Sequence, residues 1–317
     1  MNDYRKLNLL VQVSRLYYEH DMGQREIADI LKISRSYVSK LLIEAKELKI
    51  VEIKINDTIE TENEMEAFIR EKFGLKKVII VPSDGGEPDK QLEGIGIALA
   101  RYLYNIVSDK DIIGVSWGVT LHTCAQRLMK KYVKDVKVTQ LYGGMMSTDK
   151  GVHINEIITN FAKAFDATPY FLLLPSIVDS YEMKAAIIKD KNVANVLEMA
   201  QNCQIAVYSV GEFGLDSSLV RAGFFTSNEV EELLKKGVVG DACARLYNIK
   251  GEIVESEFDK RTIGLQLNEL RHKKYSILVA GGQKKVKSIY GALCGGYANV
   301  LITDEMTARS FLSTSDS

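Results

Sequence analysis

GQREIADILKISRSYVSKLL, Gly23 to Leu42, carries two short apolar-patterned segments around the joint Lys32-Ile33-Ser34 and closes on a face of hydroxyls and cations. Ile27, Ala28, Ile30 and Leu31 share one side of a helix from about Gln24 to Leu31. Ser34 suits the N-cap of the next helix, which reaches about Leu48, because its hydroxyl can accept from the unpaired amides at a helix head. Val38, Leu41, Leu42 and Ala45 form the buried side of that helix and leave Arg35, Ser36, Tyr37, Ser39 and Lys40 outside. Upstream, Leu7, Leu10, Val11, Val13, Leu16 and Tyr17 recur near the 3.6-residue period, which predicts a helix over 4–19 that Asp21-Met22-Gly23 ends.

This is the helix-turn-helix pattern, in which the second helix of the pair enters the major groove of a DNA duplex with its first residues against the base edges. The residue types fit: arginine grips guanine bidentately, serine and tyrosine reach phosphates or base edges, and lysine supplies charge. The candidate DNA-contacting set is Gln24 and Arg25 at the head of the first helix of the pair, with Ser34, Arg35, Ser36, Tyr37, Ser39 and Lys40 around the second. Between Lys32 and Lys54 six cations face three acids, a local excess on the same face. Ile50 to Ile55 alternates apolar and polar, as a half-buried strand does, and predicts a small wing. The competing reading is a three-helix dimerisation module with a solvated charged face.

The rest of the composition bounds the answer. At 317 residues the chain is about two domains long, at roughly 150 residues each. With 46% hydrophobic and 26% charged residues and a net charge of -1, disordered and fibrous classes are disfavoured, and net charge alone identifies no partner. Cys124, Cys203, Cys243 and Cys294 form no CxxC pair, which argues against a zinc site and a disulfide framework and points to a reduced, cytoplasmic location with no metal expected. No apolar run approaches the ~18 residues that span a bilayer, so membrane insertion is not expected.

Beyond the head, residues 57–72 are acid-rich yet place Ile59, Met65, Phe68 and Ile69 on one face, which predicts a connecting helix. Strand-like and helical segments then alternate. Strands are predicted over 77–81, 111–116, 136–141, 168–174, 204–209, 242–247, 275–280 and 300–303. Helices are predicted over 91–107, 121–132, 155–165, 181–188, 192–200, 228–235, 261–270 and 286–291. Such alternation implies an α/β domain with a mostly parallel, buried sheet covered by helices on both faces. The expected division is 1–56 for the head, 57–75 for the linker helix and 76–317 for the large domain.

In such sheets ligands bind beyond the carboxyl ends of the strands. Ile113 to Thr120 reads strand, glycine turn, helix, with hydroxyls at Ser116 and Thr120, and Gly118 lets a ligand approach the backbone. Ala280-Gly281-Gly282-Gln283-Lys284-Lys285 repeats the arrangement and adds two lysines. Gly237 to Arg245 places an acid, Asp241, at a strand start, where it could accept from sugar hydroxyls or cap its own loop.

Taken in order, QREIADILKISRSYVSKLL, GVSWGVTL, QLYGG, GVVGDACARLYNIKGE, AGGQKKVKSI and VLITDEMTA resemble the landmarks of the SorC/DeoR type of bacterial, sugar-responsive transcriptional regulators, over essentially the full length. The resemblance implies a winged-helix-like head and a Rossmann-like, sugar-phosphate-isomerase-like domain that binds its effector without turning it over. It also implies that Gly118 and Thr120 hold an effector phosphate, that Lys285 closes on it, that Asp241 faces sugar hydroxyls, and that Tyr142, His153 and Asn155 vary with effector identity. The candidate effector set is Ser116, Gly118, Val119, Thr120, Gln140, Tyr142, His153, Asn155, Asp241 and Lys285. Ala244 and Asn248 stand where the family often has Gly and Asp, and no Schiff-base lysine is evident near Tyr142.

The expected partners are therefore double-stranded operator DNA and a phosphorylated sugar as effector, with no other cofactor. A homodimer or homotetramer is expected because symmetric operators mirror symmetric proteins. The alternative from another class is a phosphosugar isomerase or deaminase, but His20, His122, His153 and His272 show no evident acid–base pairing in the sequence. A scaffold without ligand or DNA affinity is the third.

Overall fold

A computed structural model describes residues 3–18, 20, 22–48, 50–51, 63–83, 88–144, 153–254 and 257–313. The chain divides into two compact units, Met1–Thr61 and Glu62–Ser317.

The first unit contains α1 (Asp3–Tyr18), α2 (Gln24–Leu31) and α3 (Arg35–Glu47). Leu10, Val13, Ile27, Val38, Leu41 and Ala45 form its core, each at most 1% exposed. Ser34 caps α3 as expected, its Oγ accepting from Tyr37 N at 3.2 Å. Lys32 turns the chain in the left-handed region, at φ 52° and ψ 44°. Ile30, expected inside, is 53% exposed, because the eight-residue α2 buries only Ile27 and Ala28. The expected wing strand lies, after Val51, outside the described residues.

The second unit begins with α4 (Glu64–Phe73), opened by a reciprocal Asn63–Glu66 capping box and closed by Gly74 at φ 64°. The sequence predicts a connecting helix here, but α4 belongs to the body. Ile69 is fully buried in the core of this unit, and Glu66 Oε1 accepts from Ile80 N of the edge strand β1 (Lys77–Val81) at 2.8 Å.

The remaining elements follow in the order α5 (Pro88–Ile106), β2 (Ile112–Val115), α6 (Val119–Ala125), β3 (Lys137–Gln140), α7 (Ile154–Ala164), β4 (Thr168–Tyr170), α8 (Tyr181–Ile187), α9 (Lys191–Asn202), β5 (Ile205–Tyr208) and β6 (Val210–Glu212). After these come α10 (Ser218–Arg221), α11 (Ser227–Lys235), β7 (Val238–Ala242), β8 (Arg245–Asn248), α12 (Glu257–Arg261), α13 (Leu267–Leu270), β9 (Tyr275–Val279), a 3₁₀ turn (Gln283–Lys285), α14 (Val286–Cys294), β10 (Val300–Asp304) and α15 (Glu305–Ser313).

Seven strands make one wholly parallel sheet in the order β1-β10-β9-β5-β2-β3-β4. Because successive side chains leave a strand on opposite faces, each buried strand feeds two cores. Val78, Ala206 and Leu278 enter one, while Ile79, Val207 and Ile277 enter the other beneath α5, α6 and α7. The strand order reverses between β2 and β5: from β2 the chain proceeds to β3 and β4, and from β5 it moves the other way to β9 and β10. A crevice at such a reversal is the usual ligand position in this architecture.

Four stretches depart from the sequence reading, and one of them is simply short: the strand expected over 168–174 ends at Tyr170. The strand expected over 242–247 is the tip of an antiparallel hairpin, β7–β8, in a separate sheet with β6. Cys243 and Ala244 form its two-residue turn at φ 50° and 58°, without the usual asparagine or glycine signal. The helix expected over 261–270 breaks into α12 and α13, because Thr262 and Gly264 bridge to Ile177 and Tyr142 instead. The helix expected over 121–132 stops at Ala125; past it, Lys131 donates to Tyr104 O at 2.6 Å and Val107 O at 2.7 Å at the end of α5.

Candidate functional site

A cavity of about 310 Å³ opens at the strand-order reversal, between the carboxyl ends of β2 and β5. Six of the ten candidate effector residues line it: Gly118, Val119, Thr120, Tyr142, Asp241 and Lys285. They arrive from four separate stretches of chain. The β2–α6 turn brings Gly118, at φ 128° with open space where a Cβ would stand, and then the first amides of α6, which lack intrahelical partners. The β9 loop delivers Lys285, whose Nζ stands 3.4 Å from Thr120 Oγ1. That loop is tied down by the fully buried Asp304, whose Oδ2 accepts from Gly282 N at 2.8 Å.

Asp241 comes from β7 of the small sheet. Gly211 is its cross-strand partner, and a Cβ at Gly211 would collide with the carboxylate. Burial raises the Asp241 pKa to about 6, against the pull of Lys285 and of a hydrogen bond from the Ala244 backbone. The same burial lowers the Lys285 pKa, opposed by Asp241 and then Glu212. Tyr142 is buried and stacks on Trp117 with ring centroids 5.0 Å apart and planes at 27°. Its hydroxyl pKa is pushed well up by burial, so it is a neutral wall residue.

The other four candidates lie elsewhere. Ser116 is 2% exposed, and its Oγ accepts from Ser209 N at 3.3 Å, which binds the end of β2 to the end of β5. Gln140 is 1% exposed and accepts from Leu172 N at 2.6 Å, a brace between β3 and the segment after β4. His153 stacks on His122 with centroids 4.0 Å apart, and Asn155 is exposed at the start of α7; neither lines the cavity. The companion of Asp241 in its motif, Arg245, is fully buried and grips Asp259 at 2.6 Å together with the carbonyls of Leu265, Thr262 and Gly264.

Sequence reasoning overlooked the segment Ser209 to Arg221, which supplies Gly211, Glu212, Asp216, Ser217 and Arg221 to the cavity. Its signal was present: Gly211 and Gly214 among interspersed acids and serines, directly after a buried strand. The Ser209 and Ser217 hydroxyls are buried and, among the described residues, have no hydrogen-bond partner. Cations, carboxylates and free hydroxyls thus converge on one small cavity, a donor set for a ligand with an anionic end and several hydroxyls.

In the head, Ser34, Arg35, Ser36 and Lys40 are exposed on α3 and Arg25 on α2, while Gln24, Tyr37 and Ser39 are partly buried. The first turn of α3 is therefore open to a partner.

Comparison with known proteins agrees with both units. A family model described as "Putative sugar-binding domain" matches residues 57–313. The chain is 41% identical over 315 residues to the deoxyribonucleoside regulator of Bacillus subtilis (strain 168), covering 98% of this chain and 99% of that one. It is 29% identical over 314 residues to the sorbitol operon regulator of Klebsiella pneumoniae, covering 98% and 100%. The crystal structure of full-length SorC from Klebsiella pneumoniae superposes with a TM-score of 0.84 at 29% identity, over 96% of this chain and 98% of that chain. These relatives are named as regulators, which leaves the isomerase or deaminase alternative without support. Among the described residues no helix is long and apolar enough to cross a membrane. The chain belongs to the SorC/DeoR-type family of transcriptional regulators that carry a sugar-binding domain.

Proposed function

We propose that this protein is a DNA-binding regulator of carbohydrate metabolism whose hold on operator DNA is set by a phosphorylated sugar in the cavity between β2 and β5. The observation that carries the effector half is the convergence of Lys285, Thr120 and the Gly118 turn at one end of the cavity with Asp241 near the other components of the small sheet. The first group suits a phosphate, because cations and unpaired helix-head amides favour anions. The second suits hydroxyls, because a carboxylate accepts from several at once. The likeness to a deoxyribonucleoside regulator makes pentose phosphates the first class to try. Dimers or tetramers then place two α3 helices in successive major grooves, and effector binding changes their spacing, at a coupling of ~1–3 kcal/mol.

The test is a thermal-shift screen of sugar phosphates on the full chain, with operator binding then measured with and without the hit. A hit that shifts melting and alters DNA affinity supports the reading. If no sugar phosphate shifts melting and none changes operator binding, the reading fails.

A further inference from the structure

A second group of side chains lies outside the cavity and has no part in the reading above. His122 on α6, His153 directly before α7 and Glu156 in the first turn of α7 place their ligand atoms within 4.8 Å of one another. Glu156 Oε2 lies 2.7 Å from His122 Nε2 and 3.6 Å from His153 Nδ1, so one carboxylate oxygen lies near a nitrogen of each ring. The rings stack at 4.0 Å and 16°.

We infer that His122, His153 and Glu156 form a binding site for a divalent transition-metal ion of the zinc type. Two imidazoles and a carboxylate are the donor set that such ions take, whereas magnesium and calcium prefer oxygen alone. Bonds of roughly 2.0–2.2 Å at near-tetrahedral angles put donor atoms about 3.0–3.6 Å apart. The 3.6 Å separation meets that spacing, and the 2.7 Å separation is the present hydrogen bond, which a metal would replace. The two ring planes are nearly parallel and offset, so one ion cannot lie in both, and binding requires one imidazole to swing about its χ2 torsion, a soft coordinate for histidine. Glu156 is exposed and the histidines are partly so, which lets this adjustment proceed without disturbing the core. Three protein ligands leave at least one position for water. The lack of a CxxC pair excluded only a thiolate site of the usual kind; this one assembles from two helices that meet in the fold.

The site joins α6 to α7, and α6 is the helix whose first turn lines the effector cavity, so an ion here would hold one wall of that cavity in place.

The test is titration of the purified, metal-stripped full chain with Zn²⁺ and with Co²⁺ alone, by calorimetry and by the visible absorption of bound cobalt. All arms use a Cys294→Ser background, because the exposed Cys294 is a competing thiol ligand. One ion per chain is expected, with affinity lowered about tenfold or more by His122→Phe, His153→Ala and Glu156→Gln taken singly. His122→Phe keeps an aromatic ring in the stack, and melting of each variant without metal checks its fold. Absence of binding, or binding that all three well-folded variants retain, overturns the site and leaves a hydrogen-bonded imidazole pair. The outcome does not depend on any sugar phosphate being found.

Discussion

Lys285 Nζ stands 3.4 Å from Thr120 Oγ1 although 165 residues of chain separate the two, and the cavity beside them is lined by both. This contact joins the β9 loop to the head of α6 across the one intervening strand end, that of β5. Lys285→Ala and Thr120→Val should each weaken effector binding by about tenfold or more, since each removes a hydrogen bond to a charged group. Operator affinity without effector should stay unchanged. Calorimetry with the effector and gel-shift titration check the two halves, and retained effector affinity in both variants would refute the assignment.

The pH dependence should follow Asp241. Its folded pKa of about 6 lies above its ordinary 3.8, so the stability it contributes is present below the ordinary value and lost as pH rises through about 6. For the effector the sign reverses: a hydroxylated ligand gains from the ionised carboxylate, so affinity should fall as pH drops through about 6. Lys285 and the Ala244 backbone face the same group, and Glu212 in turn acts on Lys285. The effector phosphate also titrates near there, at about 6. The Asp241→Asn variant separates the two, because it keeps the phosphate contribution and loses the rest. Affinity profiles of equal steepness in both proteins would contradict this role.

Arg245 is a structural clamp. It holds the chain from Asp259 to Leu265 in place beside the cavity by one ion pair and several carbonyl contacts. Replacing it with methionine removes the one guanidinium that ties these acceptors together and should lower stability by about 3 kcal/mol in denaturant unfolding. A change within error would show that the cluster is not a fastening.

The turn of the head offers a paired test with opposite signs. Ser34→Ala removes the cap of α3 and should cost about 1 kcal/mol. Lys32→Gly relieves a left-handed backbone at φ 52° and should add up to about 1 kcal/mol. Thermal unfolding of the two variants against the parent gives the order directly.

Operator binding should divide by residue type. Loss of the Lys40 charge should lower the salt dependence of affinity by about one ion, whatever the sequence. Arg35→Ala should cost about 1–3 kcal/mol on the cognate operator and relax discrimination at one base pair, if its partner is a guanine edge. Salt titrations on cognate and scrambled duplexes distinguish these effects, and equal losses on both duplexes would place Arg35 on phosphate.

Local physics determined much of this protein. Ser34 caps α3 through an amide three residues away, and the period of Val38, Leu41, Leu42 and Ala45 selects the buried face; both are visible in the chain itself. Apart from the exposed edge strand β4, the strands of the parallel sheet are short β-rich runs that are largely buried, so composition marks them. Tertiary structure decided what depends on distant partners. Cys243 and Ala244 turn a hairpin without a turn sequence, and the segment from Thr262 to Gln266 leaves a helical pattern to bridge Ile177 and Tyr142. Gln140 and Ser116, polar and near strand ends, became internal braces because Leu172 and Ser209 offered backbone amides at the right depth. His122 and His153 met because α6 and α7 pack together, a pairing that no spacing in the sequence announces. Hydrogen bonds between residues a few positions apart are written in the sequence; those that close loops of a hundred residues are chosen only when the sheet assembles.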